Sequence, residues 1–378
     1  MQYFSFKGHD LSALGFGCMR LPIIDEKPDN IDEAQVADMV AYAMEHGINY
    51  YDTAWGYHDG NSELVMGRVL SQYPRDSFYL ASKFPSYDPS NFGKHEEIFA
   101  RQLEKCQTDY FDFYLLHNIN EGNIDHYLEE EKYGTVAYFK AMRDAGKIGH
   151  LGFSVHGTFE TFMRFMEVFS DDMEFCQVQL NYMDWNFQKA RAKVEVLQER
   201  HIPIIVMEPL RGGNLISLSE EQMASLNALR PGKSAVDWAF RWTAGVPGVM
   251  TVLSGMSNME QLQDNVRIFE DDEPLTAEEC AALEAIGDEI ASSKGVPCTA
   301  CRYCTEYCPQ ELDIPRLLEL YNEHVSRPGL RFLAPMAVGA MPEEKRPGAC
   351  IACGACVEVC PQQIAIPDTL AEFTTMLS

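Results

Sequence analysis

The chain has 378 residues, 46% of them hydrophobic, which is enough for one large domain and a smaller one. Its formal net charge of −27 at pH 7 argues against nucleic acid or an anionic membrane surface as a partner. The N-terminal sequence lacks the basic flank and long apolar run of a signal peptide, and we expect no membrane span. A cytoplasmic protein is therefore predicted.

The first residues predict a short β-hairpin, at 2–6 and 11–14, and an alternation of strand-like and helix-like segments follows it. The predicted strands are continuously apolar, as expected of parallel strands that are buried on both faces. They lie at 14–22, 48–54, 77–84, 111–117, 150–156, 174–182, 202–210 and 248–255. The helices that follow them are predicted at 33–47, 62–72, 96–106, 136–146, 159–169, 189–201, 234–245 and 259–269.

Eight strand–helix units within about 270 residues predict an α/β fold, the (β/α)8 TIM barrel. The alternative is an open doubly wound sheet, which would carry a glycine-rich turn and a helix directly after its first strand. The segment 14–22 offers only Gly15 and Gly17 and no helix follows it directly, so the barrel is favoured. One more helix is predicted at 276–292, with Thr276 and Glu279 forming a capping box.

The composition changes abruptly at 293–297, which predicts a barrel domain at 1–290 and a second domain at 291–378. Eight of the 12 cysteines of the chain lie in this second part. They form two runs of the pattern C-x2-C-x2-C-x3-C-P, made by Cys298, Cys301, Cys304 and Cys308 and by Cys350, Cys353, Cys356 and Cys360. This spacing is typical of bacterial ferredoxins with [4Fe–4S] clusters, so a small α+β or α-helical ferredoxin-like domain is predicted.

The fourth cysteine of each run binds the other cluster in two-cluster ferredoxins. We therefore expect one cluster on Cys298, Cys301, Cys304 and Cys360, and a second on Cys350, Cys353, Cys356 and Cys308. The alternative is structural zinc, for which a third cysteine and a proline-flanked fourth are unnecessary. Two adjacent clusters favour a short path for electrons, although a structural role is the other interpretation.

Four polar residues follow adjacent predicted strands: Asp52 and Tyr57 the second, Lys83 the third and His117 the fourth. The C-terminal ends of barrel strands are where TIM-barrel enzymes hold their active sites. A nearby Lys⁺ lowers the pKa of a phenol, a carboxylate holds the Lys, and a His orients a carbonyl oxygen. The set therefore predicts a proton donor for a carbonyl group that receives hydride.

The motifs DTAWGY, ASK and LLHN resemble those of the aldo/keto reductase superfamily over roughly 1–290, and the whole chain is similar to its subgroup with a ferredoxin-type tail. The resemblance implies a hairpin across the barrel floor, a nicotinamide dinucleotide across its top, and a catalytic tetrad of Asp52, Tyr57, Lys83 and His117. It also implies the nucleotide contacts, which are Ser154 and Gln177 for the carboxamide, Leu210, Gly212 and Gly213 for the pyrophosphate, and Asn265 for adenine.

The nucleotide pocket departs from the family at several positions. Met207 replaces the usual stacking Tyr, and Gly255 and Gln261 stand where a Lys and an Arg often hold the 2′-phosphate. Losing such charge-assisted contacts weakens a preference for NADPH, with Arg211 or Arg267 as candidate replacements. NAD(P)H is expected, and the choice between NADH and NADPH stays open.

The leading hypothesis is an oxidoreductase that reduces a carbonyl or oxidises an alcohol, with Tyr57 as proton donor. Its clusters would pass electrons to or from a ferredoxin or another partner. The alternative is a redox-sensing or electron-transfer protein whose barrel binds dinucleotide without turnover. The segments 118–135 and 326–348 are candidate lids over the substrate.

Overall fold

The computed structural model describes residues 1–271, 273–293, 295–296, 298, 303–326, 332–360 and 364–377. Two strands, β1 Tyr3–Phe6 and β2 His9–Ser12, form an antiparallel hairpin. Eight further strands are all parallel and close into a barrel, in the order β10, β3, β4, β5, β6, β7, β8, β9. They are β3 Leu14–Gly17, β4 Tyr50–Asp52, β5 Tyr79–Phe84, β6 Phe111–Ile119, β7 Ile148–Val155, β8 Cys176–Gln179, β9 Ile204–Met207 and β10 Val249–Gly255. The predicted TIM barrel is confirmed.

Apolar side chains fill the barrel and explain its closure. Phe6 and Leu11 of the hairpin pack into one buried cluster with Tyr50, Phe113 and Phe175 from the strands. The hairpin therefore covers the N-terminal end of the barrel, which leaves the C-terminal ends of the strands for a functional site.

Helices surround the barrel. They are α1 Glu33–Glu45, α2 Ser62–Leu70, α3 His95–Lys105, α4 Ile124–Leu128, α5 Glu130–Tyr133, α6 Thr135–Asp144, α7 Phe159–Phe169, α8 Asp184–Phe187, α9 Ala190–Glu199, α10 Glu220–Leu229, α11 Ala235–Ala244, α12 Met259–Glu270 and α13 Ala277–Ser293. The longer ones that follow barrel strands bury an apolar face, as α7 does with Phe162, Phe165 and Met166. The predicted capping box of α13 is present, since Thr276 N–H donates to Glu279 and Glu279 N–H donates to Thr276.

Several elements differ from the sequence prediction. The first barrel strand ends at Gly17 and continues as a 3-10 turn, Cys18–Arg20. The segment 118–135 contains α4 and α5, and α10 was not predicted at all. Leu226 is the buried residue of α10, so this helix carries almost no apolar periodicity.

The C-terminal part is helical, and no strand follows Gly255 in the stretches that the structure describes. Its helices are α14 Tyr303–Glu306, α15 Ile314–Ser326, α16 Leu333–Gly339, α17 Ala355–Glu358 and α18 Ile366–Leu377. The longer helices α15 and α18 both begin with Ile-Pro, and proline is tolerated in the first turn of a helix because its missing N–H has no partner there. Each of these helices begins the same number of residues after the last cysteine of the run that precedes it.

Helices α15 and α16 lie against the C-terminal face of the barrel. Glu323 of α15 contacts Arg211, and Met336 of α16 contacts Asn118 and Asn120. Among the described helices, none has the length and apolar character that crossing a membrane requires.

Candidate active site

The structure brings the four predicted tetrad residues together at the C-terminal ends of β4, β5 and β6. Lys83 Nζ donates to Asp52 Oδ1 at 2.6 Å, to the carbonyl oxygen of Thr53 at 2.8 Å and to Tyr57 Oη at 3.1 Å. Gln177 Nε2 donates to the second carboxylate oxygen of Asp52 at 3.2 Å. Lys83 therefore has its three donors engaged in one fixed geometry.

Burial and charge set the protonation states of this set. Lys83 is fully buried, which alone would favour the neutral amine, but Asp52 and Tyr57 together outweigh burial and raise the pKa of Lys83. Burial also raises the pKa of Tyr57, and the opposing effect of Lys83 is smaller. Sequence reasoning anticipated a lowered tyrosine pKa, and in this structure desolvation exceeds the lysine's effect. Tyr57 is thus a neutral phenol that accepts from Lys83 and keeps its own proton to donate.

His117 stands beside Tyr57, with ring centroids 6.2 Å apart. Burial, together with the nearby charge of Lys83, lowers the pKa of His117 well below its usual range, so the imidazole is neutral. Its Nδ1 is buried without a hydrogen-bond partner in the described part of the chain. An unpaired polar atom of this kind costs free energy unless a ligand satisfies it.

The backbone after His117 is bent by Asn118, which has a positive φ of 58°. Asn tolerates this left-handed conformation better than most residues. Ser154 Oγ accepts from the Asn118 N–H at 2.7 Å, and Ser86 Oγ donates to the His117 carbonyl oxygen. The fully buried Ser154 therefore braces the turn that positions His117, behind the cavity wall.

A cavity of about 650 Å³ runs from the tetrad to the end of β10. Its volume falls within the range of small-molecule sites, about 300–1,000 Å³. The predicted nucleotide residues Gln177, Leu210, Gly212, Gly213 and Asn265 line it. Sequence reasoning missed Arg20 and Tyr87, which also line it, whereas Asn118, Phe332 and Met336 come from the two segments predicted as candidate lids.

The end of the cavity that the predicted nucleotide residues line is built from glycine backbone and a few polar groups. Gly212 and Gly213 have φ values of 66° and 91°, and a Cβ on Gly213 would meet open space. Backbone of this form approaches a ligand closely. Asn265 Nδ2 donates to Ser254 Oγ at 3.0 Å, which fixes its orientation.

The two arginines considered for a 2′-phosphate are engaged elsewhere. Arg211 is fully buried against Asp184 and Glu323, and Arg267 pairs with Asp237 and Asp264. Arg20 lines the cavity instead, with its aliphatic stem against Gly255. In the sequence, Arg20 could be linked to the site only through its position just after the first barrel strand.

The opposite end of the cavity is closed by the C-terminal part of the chain. The Met336 sulfur lies 3.8 Å from Asn118 Nδ2 and 4.0 Å from Asn120 Nδ2. The Phe332 ring lies edge-on to His156, with centroids 6.3 Å apart. Both residues fall in the segment 326–348 that was predicted as a candidate lid.

Four cysteines line one pocket in the C-terminal part: Cys308, Cys350, Cys353 and Cys356. This grouping joins the fourth thiol of one run to the first three of the other, as the ferredoxin spacing predicts. Gly354, with a φ of 79°, also lines the pocket. None of the 11 cysteines within the described residues forms a disulfide, and no group of three His, Cys, Asp or Glu side chains there is placed to hold a single metal ion. Four thiols are the number of protein ligands that a [4Fe–4S] cluster takes.

The thiols expected to hold the other cluster share the adjoining core. Cys304 is buried in this hydrophobic core, and Cys298 and Cys360 pack against it. Cys301, the remaining predicted ligand of this set, lies outside the described residues.

The model of the Aldo/keto reductase family matches residues 13–288, and that of the 4Fe-4S dicluster domain matches 297–365. The chain is 25% identical over 309 residues to "Uncharacterized oxidoreductase YqkF" of Bacillus subtilis, covering 73% of this chain and 92% of the relative. It is 24% identical over 310 residues to L-galactose dehydrogenase of Arabidopsis thaliana, covering 75% of this chain and 92% of the relative.

Solved structures show the same fold. The holo form of aldo-keto reductase AKR11C1 from Bacillus halodurans is 25% identical, with a TM-score of 0.62, over 76% of this chain and 95% of that one. An aldo/keto reductase from Klebsiella pneumoniae in complex with NADP and acetate is 22% identical, with a TM-score of 0.60, over the same shares. The chain therefore belongs to the aldo/keto reductase family, as an oxidoreductase that carries a C-terminal 4Fe-4S dicluster domain.

Proposed function

We propose that the protein reduces a carbonyl compound, or oxidises the corresponding alcohol, with NAD(P)H as hydride carrier and Tyr57 as proton donor. One observation carries this proposal: Lys83 Nζ binds Asp52 and Tyr57 at the same time, beside a cavity that Tyr57 and His117 both line. A buried ammonium fixed on a phenol is an arrangement for moving a proton.

The chain's own residues supply the acid and the electrostatic support. Tyr57 Oη donates its proton to the carbonyl oxygen, and Lys83 stabilises the phenolate that this leaves. The neutral His117 donates through its ring N–H to the same oxygen and so orients the carbonyl. Bound NAD(P)H supplies the hydride that adds to the carbonyl carbon. Hydride and proton together balance the reduction to an alcohol.

We propose that the dinucleotide lies along Gln177, Leu210, Gly212, Gly213 and Asn265, with Ser154 supporting the site through Asn118. These residues line or brace one continuous cavity, and a structural neighbour binds NADP. Arg20 is the arginine that lines the cavity within the described residues, so we assign it to the 2′-phosphate and expect NADPH to be preferred.

We further propose two [4Fe–4S] clusters in a domain at 291–378, which follows the barrel domain at 1–290. Each cluster takes three thiolates from one run and one from the other, in support of which Cys308 shares a pocket with Cys350, Cys353 and Cys356. When bound, the clusters would supply one-electron transfer, and the partner would be a ferredoxin or another small electron-transfer protein. A reducing compartment such as the cytoplasm keeps these thiols available for iron.

Tyr57→Phe tests the proposed acid. The variant keeps the ring but has no proton to donate, so carbonyl reduction should fall by about 10²–10⁴-fold. Steady-state NADPH oxidation with a panel of aldehydes and ketones measures this loss. NADPH binding and the visible absorbance of the clusters should remain as in the wild type.

Tyr87→Phe is the matched control, because Tyr87 lines the same cavity and stacks edge-on with His117 at 5.6 Å. It has no hydrogen bond to Lys83 in the described structure, so its turnover should stay within a few-fold of the wild type. Wild-type carbonyl reduction by Tyr57→Phe would exclude the proposed role.

A further inference from the structure

The turn after β9 holds three successive residues in the left-handed region. Arg211, Gly212 and Gly213 have φ values of 49°, 66° and 91°. The conformation is natural for the glycines but is strained for Arg211, whose Cβ crowds the following carbonyl oxygen. Such a backbone persists where its surroundings hold it in place. This turn also supplies Leu210, Gly212 and Gly213 to the cavity wall.

The Arg211 side chain shows what holds the turn. Its guanidinium is fully buried, with Nε donating to Asp184 Oδ1 at 3.0 Å and Nη2 donating to Glu323 Oε2 at 2.6 Å. Gln179 Nε2 and Asn181 Nδ2 each donate to Asp184 at 2.7 Å, which fixes that carboxylate to the barrel. The arginine is thus clamped between two carboxylates.

The second carboxylate does not come from the barrel. Glu323 lies on α15 and is 4% exposed, and Gln188 Nε2 donates to its Oε2 at 2.5 Å. Earlier in the same helix, Leu317 and Leu318 pack into the core that contains Cys304 and Cys356. One helix therefore runs from the cysteine core to the turn that lines the cavity.

We propose that Glu323 is a positioning residue for the nucleotide, through which the iron–sulfur domain fixes the 210–213 turn. The inference rests on the proposed function in one respect, namely that the dinucleotide lies along this turn. Neutralising Glu323 leaves Arg211 paired with Asp184 but replaces the charge-assisted hydrogen bond at Nη2 by a weaker one, so the turn relaxes. A pre-organised turn binds more tightly than one that must be ordered on binding.

Glu323→Gln in the full-length, cluster-loaded protein tests this role. The variant should bind NADPH on the order of tenfold more weakly by fluorescence titration, with unchanged cluster absorbance and circular dichroism. Backbone amides of 208–215 should exchange with deuterium faster than in the wild type. These include Arg211 N–H bonded to Glu208 O and Gly213 N–H bonded to Leu210 O.

Glu319→Gln is the matched control, since Glu319 lies one turn earlier on α15 and pairs with Arg316 of the same helix at 2.9 Å. Its NADPH affinity and its exchange at 208–215 should equal those of the wild type. Glu323→Asp keeps the charge on a shorter side chain and should have an intermediate effect. It also keeps the test decisive if Glu323→Gln fails to fold.

Wild-type exchange at 208–215 in both Glu323 variants would overturn the positioning role. A wild type that binds no NADPH would instead refute the proposed function, and the exchange measurement would still decide the role of Glu323.

Discussion

Tyr57 and Lys83 share a hydrogen bond in a pocket where burial and charge act in opposite directions on the phenol. Burial raises the pKa of Tyr57 above its usual value near 10, and Lys83 offsets only part of that effect. A group with a raised pKa stays protonated at lower pH, so Tyr57 is an acid throughout the neutral range. The same shift makes the phenolate, the base needed for alcohol oxidation, scarce at neutral pH.

These directions predict the pH dependence of the two reactions. For carbonyl reduction, kcat/KM should be flat between about pH 6 and 8 and should fall only in the alkaline range. For alcohol oxidation it should rise with pH over the same interval. His117, whose pKa lies well below its usual range, should contribute no change there. A reduction profile with a midpoint near pH 7 that disappears in His117→Gln would contradict a neutral histidine.

Arg20 carries the prediction about nucleotide choice. Its stem lies against Gly255, at the position where the resemblance places a 2′-phosphate contact, and its backbone oxygen accepts from Ser257 Oγ at 3.0 Å. Arg20→Ala should weaken NADPH binding about tenfold, the worth of one charge-assisted contact, and leave NADH binding unchanged. Titration of both nucleotides measures the difference. Equal losses for NADPH and NADH would place Arg20 on the pyrophosphate instead, and Lys27→Ala, an exposed cation, is the control.

At the scale of secondary-structure elements, α16 of the iron–sulfur domain lies at the end of the cavity where we propose that the substrate binds. Met336 and the preceding Phe332 lie there with Tyr87 and His117. Within the described residues no Lys or Arg lines this end, which favours an uncharged carbonyl compound with an apolar body.

Met336→Ala should therefore change substrate preference rather than chemistry. The shortened side chain enlarges the pocket, so kcat/KM for 2-naphthaldehyde relative to propanal should rise by about 10-fold, the discrimination expected from one apolar group. The ratio of the two rates is measured with NADPH at saturation. Met376→Ala, a methionine on the exposed surface of α18, should leave the ratio unchanged. An unchanged ratio in Met336→Ala would remove α16 from the substrate pocket.

The elements differ in how well the sequence predicts them. The barrel strands are predictable because parallel strands buried on both faces are continuously apolar, and the tetrad follows because adjacent parallel strands end at one edge. The contact of Met336 with Asn118 joins residues 218 positions apart, and no local pattern signals it. The ion pairs of Arg211 with Asp184 and Glu323 are equally unpredictable. The two acids are distant in sequence, and the sequence alone would place each of them on the surface.

At the scale of the whole molecule, the two domains share one functional cavity. The barrel provides the tetrad and most of the cavity lining, α16 and the residue before it provide Met336 and Phe332, and Glu323 of α15 binds Arg211 in the turn that lines the cavity. Hydride transfer moves two electrons together and a [4Fe–4S] cluster passes one, so a direct exchange between them needs an intermediary. The contacts between the two domains do not depend on electron transfer. The contribution of a cluster can therefore be tested separately from the chemistry of the barrel.

Cys353→Ser tests whether one cluster can be removed while the activity of the barrel remains. Cys353 is the exposed thiol in the pocket that also contains Cys308, Cys350 and Cys356, so its loss should remove one cluster and spare the other. Anaerobic iron and sulfide content should fall from about eight atoms of each per chain to about four. Binding of NADPH and NADPH-driven carbonyl reduction should persist, since the tetrad does not contact this pocket in the described structure. Electron uptake from reduced ferredoxin, followed by electron paramagnetic resonance, should decline because one of two adjacent carriers is missing.

Cys280→Ser, outside both runs, should keep its full iron content. Full iron content in Cys353→Ser would refute its assignment as a ligand, and loss of NADPH-driven turnover with only half the iron removed would make this cluster part of the catalytic path.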